Sequence, residues 1–225
     1  TRLGPKRACA QGWVRLKSMK RAIAITTLLA CAVGLPLVWW GGAEMILIGA
    51  LCVLFCFLYT TVLSYLGLGD LLVLVFFGVV PVCLTYYLCL PVPSHTVTWE
   101  VVLSSVACGM VIDNLLIVNN YRDMDNDKKA GKITLVVRLG SMASKGLYLV
   151  LGVVACLVGG IHLTTGKPFA FWLPLLYLFF HWPAYHKMCM IDKGRGLNLV
   201  LGDTARNIFI YGILVSMGIL ACFLL

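Results

Sequence analysis

Charge is what this sequence has least of. Lys, Arg, Asp and Glu make up 12% of its 225 residues, against about 25% in a soluble chain. With 61% hydrophobic residues and a mean hydropathy of +0.96, that shortfall excludes a water-soluble domain. Acidic residues are the scarcest, nine against 18 Lys and Arg, which leaves a net charge of +9. Metal-ligand cysteine spacing is also lacking. The ten cysteines include no C-x-x-C pair and no Cys/His cluster. Apart from Cys9 and Cys189 they lie within apolar runs or at their ends, and Cys52 and Cys56, on one helix face, read as small apolar fillers of a membrane helix. There is no internal repeat, no low-complexity tract and no secretory signal. The chain opens on Thr1 rather than Met, and natural residues are expected upstream of it.

Long apolar runs are what the sequence has in abundance. Seven are predicted to be helices, at roughly 22–40, 44–63, 71–90, 101–120, 144–163, 169–186 and 208–225. About 20 apolar residues cross a bilayer, and backbone groups in lipid must bond within their own segment. Short connectors carry Gly or Pro, as at Gly41–Gly42, Pro91–Pro93 and Gly166–Pro168. The expected fold class is all-α integral membrane, with residues 1–225 as one membrane domain. The cations then set orientation. Arg2, Lys6, Arg7, Arg15, Lys17, Lys20 and Arg21 precede the first run, and further groups come after the fourth and sixth. If the N-terminus is cytoplasmic, 17 of 18 cations share its side and only Lys167 lies opposite, as the positive-inside rule requires. The net charge therefore reads as topology, with a lipid bilayer as partner and no nucleic acid. The C-terminus is expected outside.

One stretch breaks the apolar pattern. Asn119–Gly140, NNYRDMDNDKKAGKITLVVRLG, packs three aspartates and five Lys/Arg into 22 positions. If the fourth helix continues past Asn120, then Asn119, Asp123 and Asp127 fall at i, i+4, i+8 on one stripe, Asn120 lies at its edge, and Asp125 points elsewhere. Two carboxylates a turn apart at the membrane boundary suit a hard cation such as Mg²⁺, with phosphate oxygens completing its shell. The other reading of the stretch is a solvated loop whose charges only set topology, although topology needs its cations and not its aspartates. A calcium loop is excluded, because its sixth position is Lys128 rather than Gly and its twelfth is Thr134 rather than Glu.

The same stretch resembles the second aspartate-rich motif of the UbiA superfamily of intramembrane prenyltransferases, N-x-x-x-D-x-x-x-D followed by G-K-x-T-L. Its N-N-x-R-D and V-R-L-G details are most similar to the members that prenylate 1,4-dihydroxy-2-naphthoate in menaquinone synthesis. TRLGPKR (Thr1–Arg7) and YLGLGDLLVLVFFG (Tyr65–Gly78) agree, so the resemblance covers essentially the whole chain. It implies transfer of a polyprenyl chain from a polyprenyl diphosphate to that naphthoate, with decarboxylation to demethylmenaquinone. It also implies a bacterial plasma (inner) membrane with the aspartate loop cytoplasmic. By the same resemblance, Asp123 and Asp127 hold Mg²⁺, Asn119 and Asn120 line the site, and Arg122, Lys128, Lys132 and Arg138 face the phosphates. Asp70, which ends G-L-G-D, caps the site as a catalytic group, although its residue type reads equally as a helix N-cap. Such enzymes have nine helices and a first aspartate motif between the second and third. TRLGPKR resembles the segment just C-terminal to that first motif. Two helices and half the metal site are therefore expected to lie outside these residues, and this portion alone to be inactive.

Asp113 and Asn114 lie inside the fourth run, where an ionisable group is a functional-site hypothesis. Asp113 is expected to touch the aromatic acceptor, or else to be protonated or paired with a neighbouring helix. Asp203 and Arg206 are spaced for a local i, i+3 ion pair. His181 and His186 are expected to be solvated near the membrane boundary, and Trp39, Trp40, Trp99 and Trp182 to form an interfacial belt. Two rivals stay open. One is another acceptor, such as 4-hydroxybenzoate or a chlorophyll or haem precursor; the other is a transporter or lipid-binding protein without chemistry. A transporter should pair ionisable groups at mid-bilayer, whereas charge here gathers at one face with Asp113 as the exception.

Overall fold

The computed structural model describes residues 3–4, 7–91 and 96–224. Arg2, Lys6, most of TRLGPKR and Pro93 of the Pro91–Pro93 connector lie outside the described residues. All regular structure within them is helical, as the hydrophobicity demands. In chain order come α1 (Leu16–Gly34), α2 (Leu37–Gly41) and α3 (Glu44–Leu58), which runs into a π-helical turn at Tyr59–Leu63. α4 (Gly69–Val73) passes through a second π-helical turn, Leu74–Val79, into α5 (Val80–Cys89). Then come α6 (Trp99–Lys129), α7 (Leu135–Val158), α8 (Ile161–Thr164), α9 (Pro168–Leu175), α10 (Leu178–Ile191) and α11 (Leu197–Leu224).

The expectation of seven spans is corrected. Among the described residues, five stretches are helical, long and apolar enough to cross a membrane: Glu44–Leu63, Gly69–Cys89, Trp99–Lys129, Leu135–Thr164 and Leu197–Leu224. The run at 22–40 does not qualify because α1 starts earlier, takes Lys17, Lys20 and Arg21 into its first turns, and stops before Pro36. The run at 169–186 is divided after Leu175 into two shorter helices. Pro174 lacks the N–H a continuous helix would need there.

α6 is the axis of the bundle, with α7, α11 and the α4–α5 run packed around it. Its crossing with the second π-helical turn is very close. A Cβ on Gly78 would lie 2.4 Å from the Gly109 Cα, and one on Gly109 would lie 2.7 Å from the Leu74 carbonyl oxygen. Only two glycines permit that approach. Further along the same antiparallel seam, Gly69 packs beside Leu116, which sets Asp70 and Asp113 on one seam. Two apolar clusters fill the bundle. One is Ile117, Val118, Val136, Tyr148, Met188 and Leu197 beneath the polar end of α6, and the other centres on Val111, Ala155, Tyr177 and Tyr211.

His181 departs from its solvated expectation. It is 1% exposed and stacked between Tyr148 and Tyr177. The Tyr177 hydroxyl lies 2.9 Å from its Nδ1, and its Nε2 lies 3.2 Å from the Tyr148 carbonyl. Gly152 makes the room, since a Cβ there would meet the ring at 2.2 Å.

Overpacking a tight crossing costs about 1–3 kcal/mol. Gly109→Ala is therefore expected to lower the thermal unfolding midpoint of the detergent-solubilised protein by several degrees. Gly49→Ala, which points into open space, is expected to leave the midpoint unchanged.

Candidate functional site

The polar end of α6 is built by the way that helix stops. The helix does continue past Asn120, as far as Lys129. There the Lys132 N–H donates to the Asp127 carbonyl at 2.9 Å and the Gly131 N–H to that of Lys128 at 3.2 Å, with Gly131 at φ 69°. This pairing is a Schellman stop, and A-G-K is its sequence form. The chain folds back on itself, and Lys132 Nζ reaches Asp127 Oδ2 at 3.2 Å. Thr134 then starts α7, its hydroxyl accepting from the Val137 N–H at 3.2 Å.

Asp123 and Asp127 are both partly covered and Asp125 is exposed. Asp123 is held by its own neighbour. The Arg122 guanidinium donates to both Asp123 carboxylate oxygens, Nη2 at 2.6 Å and Nε at 3.1 Å. The same guanidinium donates to Asn119 Oδ1 and Asn198 Oδ1, each at 2.8 Å. Arg122 is buried, and a Cβ on Gly4 would lie 2.8 Å from its Nη2. Asn119, Arg122 and Asp123 thus form one cluster, closed from α11 by Asn198.

A second cluster adjoins it. Asp70, Asn120 and Lys132 line a small cavity with Tyr59, Ser64 and Thr134. Asp70 is 7% exposed, and neither carboxylate oxygen has a hydrogen-bond partner. Only its own amide N–H lies close by, and it is not in hydrogen-bonding geometry. Lys132 therefore touches both Asp127 and the Asp70 cavity. Asp113 is buried deeper in the seam, its Oδ1 unpartnered. Arg138 donates to the Leu66 carbonyl at 2.8 Å and the Ile133 N–H to that of Tyr65 at 3.2 Å. These two bonds fasten the connector before Asp70 to the start of α7 and the turn that precedes it. Lys128 is exposed.

Below this end runs an apolar groove of about 660 Å³, walled by Phe77, Tyr86, Val111, Ile112, Ile208 and Tyr211. Ile112, Asn119 and Asp123 fall at i, i+7, i+11, so the groove and the nearer carboxylate share a stripe of α6 about three turns apart.

Two contributors were not visible in the sequence. Asn198 lies 76 residues from Arg122, and nothing in its neighbourhood marks it. Asp192 sits in the loop after α10 at φ 55°, with the Lys193 N–H bonded to the Ile191 carbonyl at 2.6 Å in a strained γ-turn. Its carboxylate pairs with Lys145 and accepts from the Tyr121 hydroxyl at 2.9 Å. Those two donors, Lys145 first, hold the Asp192 carboxyl below the usual carboxylate range. Asp203 makes its expected pair with Arg206 at 3.6 Å, but Lys187 of α10 lies closer at 2.8 Å.

The donor chemistry fits a hard divalent ion, since two carboxylates a turn apart and the Asn119 amide offer oxygens only. Each carboxylate already holds a cation, so an incoming ion would exchange with Arg122 and Lys132 rather than fill a ready cage. Among the described residues no three His, Cys, Asp or Glu side chains converge on a common centre.

Comparison with known proteins adds to this geometry. Residues 2–196 match the model of the UbiA prenyltransferase family. A 1,4-dihydroxy-2-naphthoate octaprenyltransferase of Escherichia coli is 35% identical over 190 residues, covering 78% of this chain and 60% of that protein. A protein of the same description from Mycobacterium tuberculosis is 35% identical over 150 residues, 65% of this chain and 50% of that one. A Drosophila melanogaster homologue of UbiA prenyltransferase domain-containing protein 1 is 30% identical over 163 residues, 70% and 42%. The matched region spans about two fifths to three fifths of these relatives.

Asp192 yields a pH prediction. Its carboxyl is held below the usual range when folded, so its contribution is present above about pH 4 and lost as pH falls through the folded value. The unfolding midpoint is expected to drop below about pH 4, and Asp192→Asn to flatten that part of the profile.

Proposed function

This chain belongs to the UbiA prenyltransferase family, and we propose that it moves a polyprenyl group from an allylic diphosphate to 1,4-dihydroxy-2-naphthoate, with loss of CO₂, giving demethylmenaquinone. The observation that carries this reading is the α6 stripe, on which an apolar groove leads to carboxylates interleaved with cations. The likeness to naphthoate octaprenyltransferases supports the choice of acceptor. The transfer would take place in a bacterial inner membrane, with the aspartate end facing the cytoplasm.

In this reading Asp123 and Asp127 hold Mg²⁺, which supplies charge stabilisation to the departing diphosphate. Arg122, Lys128 and Lys132 face the phosphate oxygens, where negative charge grows as the allylic C–O bond breaks. Asn119 and Asn120 fix the orientation of that end, and Arg138 holds the connector that bears Asp70. The groove takes the isoprenoid tail and keeps water from the allylic cation. The electron-rich ring, with Asp113 toward its hydroxyl groups, attacks the cation at the carbon bearing the carboxylate. The C–C bond forms, the carboxylate leaves as CO₂, and its electron pair restores the aromatic ring. No strong general base is required.

The test is a prenyl-transfer assay on the full-length protein with Mg²⁺. Asp123→Ala and Asp127→Ala are each expected to lower kcat about 100-fold or more, the scale of lost transition-state charge stabilisation. Asp125→Ala is expected to keep wild-type turnover. The reverse pattern would overturn the reading, as would full activity after removal of divalent ions.

A further inference from the structure

Among the nine acidic residues, Asp70 stands apart. It is 93% buried by its 7% exposure, lies beside a lysine-lined cavity, and leaves both carboxylate oxygens without a partner. A buried carboxylate without a cation or hydrogen bonds is costly, and a structure that keeps one leaves the cost to be met by something that arrives. The nearby cation is already in view. Lys132 lines the same cavity while its Nζ bonds Asp127 Oδ2 at a long 3.2 Å. Its side chain is still 25% exposed, so it is not locked by packing.

The geometry points to Lys132 as a two-position ammonium, which leaves Asp127 for Asp70 when a divalent cation takes the Asp127 carboxylate. Asp70 is then a positioning residue: it clears a metal ligand by accepting the lysine that blocks it. This inference rests on the metal-dependent reading above. Only a side chain has to move. The Lys132 backbone is fixed by its Schellman bond to Asp127, and the next residue is bonded to Tyr65 of the connector that leads to Asp70. Both ends of the swing are therefore tied to one rigid frame. The Asn120 amide oxygen also lines the receiving cavity and can accept from a second N–H of the ammonium, which leaves the third for a phosphate oxygen. Both carboxylates then carry a counter-charge, since the divalent ion takes Asp127 as the lysine's charge moves to Asp70.

The test is a double-mutant cycle read by Mn²⁺ binding, measured by electron paramagnetic resonance of the full-length protein in detergent, without substrate. In the wild type, Mn²⁺ binding is expected to be lost on Asp127→Asn. The near-isosteric Asp70→Asn, which leaves Lys132 nowhere to go, is expected to weaken Mn²⁺ binding about tenfold. Lys132→Met is expected to tighten it, and in the Lys132→Met background Asp70→Asn is expected to change nothing. Equal weakening in both backgrounds would overturn the inference, because Asp70 would then act on the metal or the fold directly. No weakening in either background would overturn it as well. Mn²⁺ binding that is absent, or that survives Asp127→Asn, would overturn the metal reading itself and this inference with it. Intact binding with a flat cycle would overturn this inference alone.

Discussion

A carboxylate at the edge of hydrocarbon has to be neutralised, and that requirement organises the whole polar end. Five of the nine acidic residues do it with a cation: Glu100 with Lys167, Asp123 with Arg122, Asp127 with Lys132, Asp192 with Lys145, and Asp203 with Lys187. Glu44 and Asp125 are exposed to the surroundings instead. Only Asp70 and Asp113 are buried without an ion pair, and they share the seam between α4 and α6. The pairs tie the elements together: α6 to the turn after it, α7 to the loop after α10, and α10 to α11. Glu100 and Lys167 make the corresponding tie at the opposite end. Single exposed ion pairs are worth little. Here they matter more as registration marks that set one helix against the next.

The helical class was readable from apolar run length, because lipid leaves the backbone few options. Five spans come from it directly. The two that do not were misread at prolines and at their charged ends. Pro36 and Pro174 look tolerable inside a run counted for hydrophobicity, yet each removes a backbone donor at the point where the helix would need it. The stripe of Asn119, Asp123 and Asp127 was equally legible, since it depends only on a continuing helix, and Asp125 lies off it as the periodicity requires. The Schellman stop could also have been read from A-G-K.

The tertiary meetings could not be read. Asn198 and Asp192 join the site across 76 and 71 residues, and local sequence says nothing about such contacts. His181 was misread for a related reason. Its position near a helix end suggested water, but Gly152 on another helix opens a slot for the ring between two tyrosines. The sequence signal was the glycine rather than the histidine.

Gly140 carries a consequence of its own. It sits at φ 77° within α7, so the helical ladder is interrupted one and a half turns after Thr134. The short piece before it is fastened through Arg138 and Ile133 to the Tyr65–Leu66 connector, while the long piece after it packs in the bundle. The joint sets a cap at one angle and the membrane-embedded rod that holds Tyr148 against His181 at another, and the Ser144 hydroxyl pins the bend by donating back to the Gly140 carbonyl at 2.7 Å.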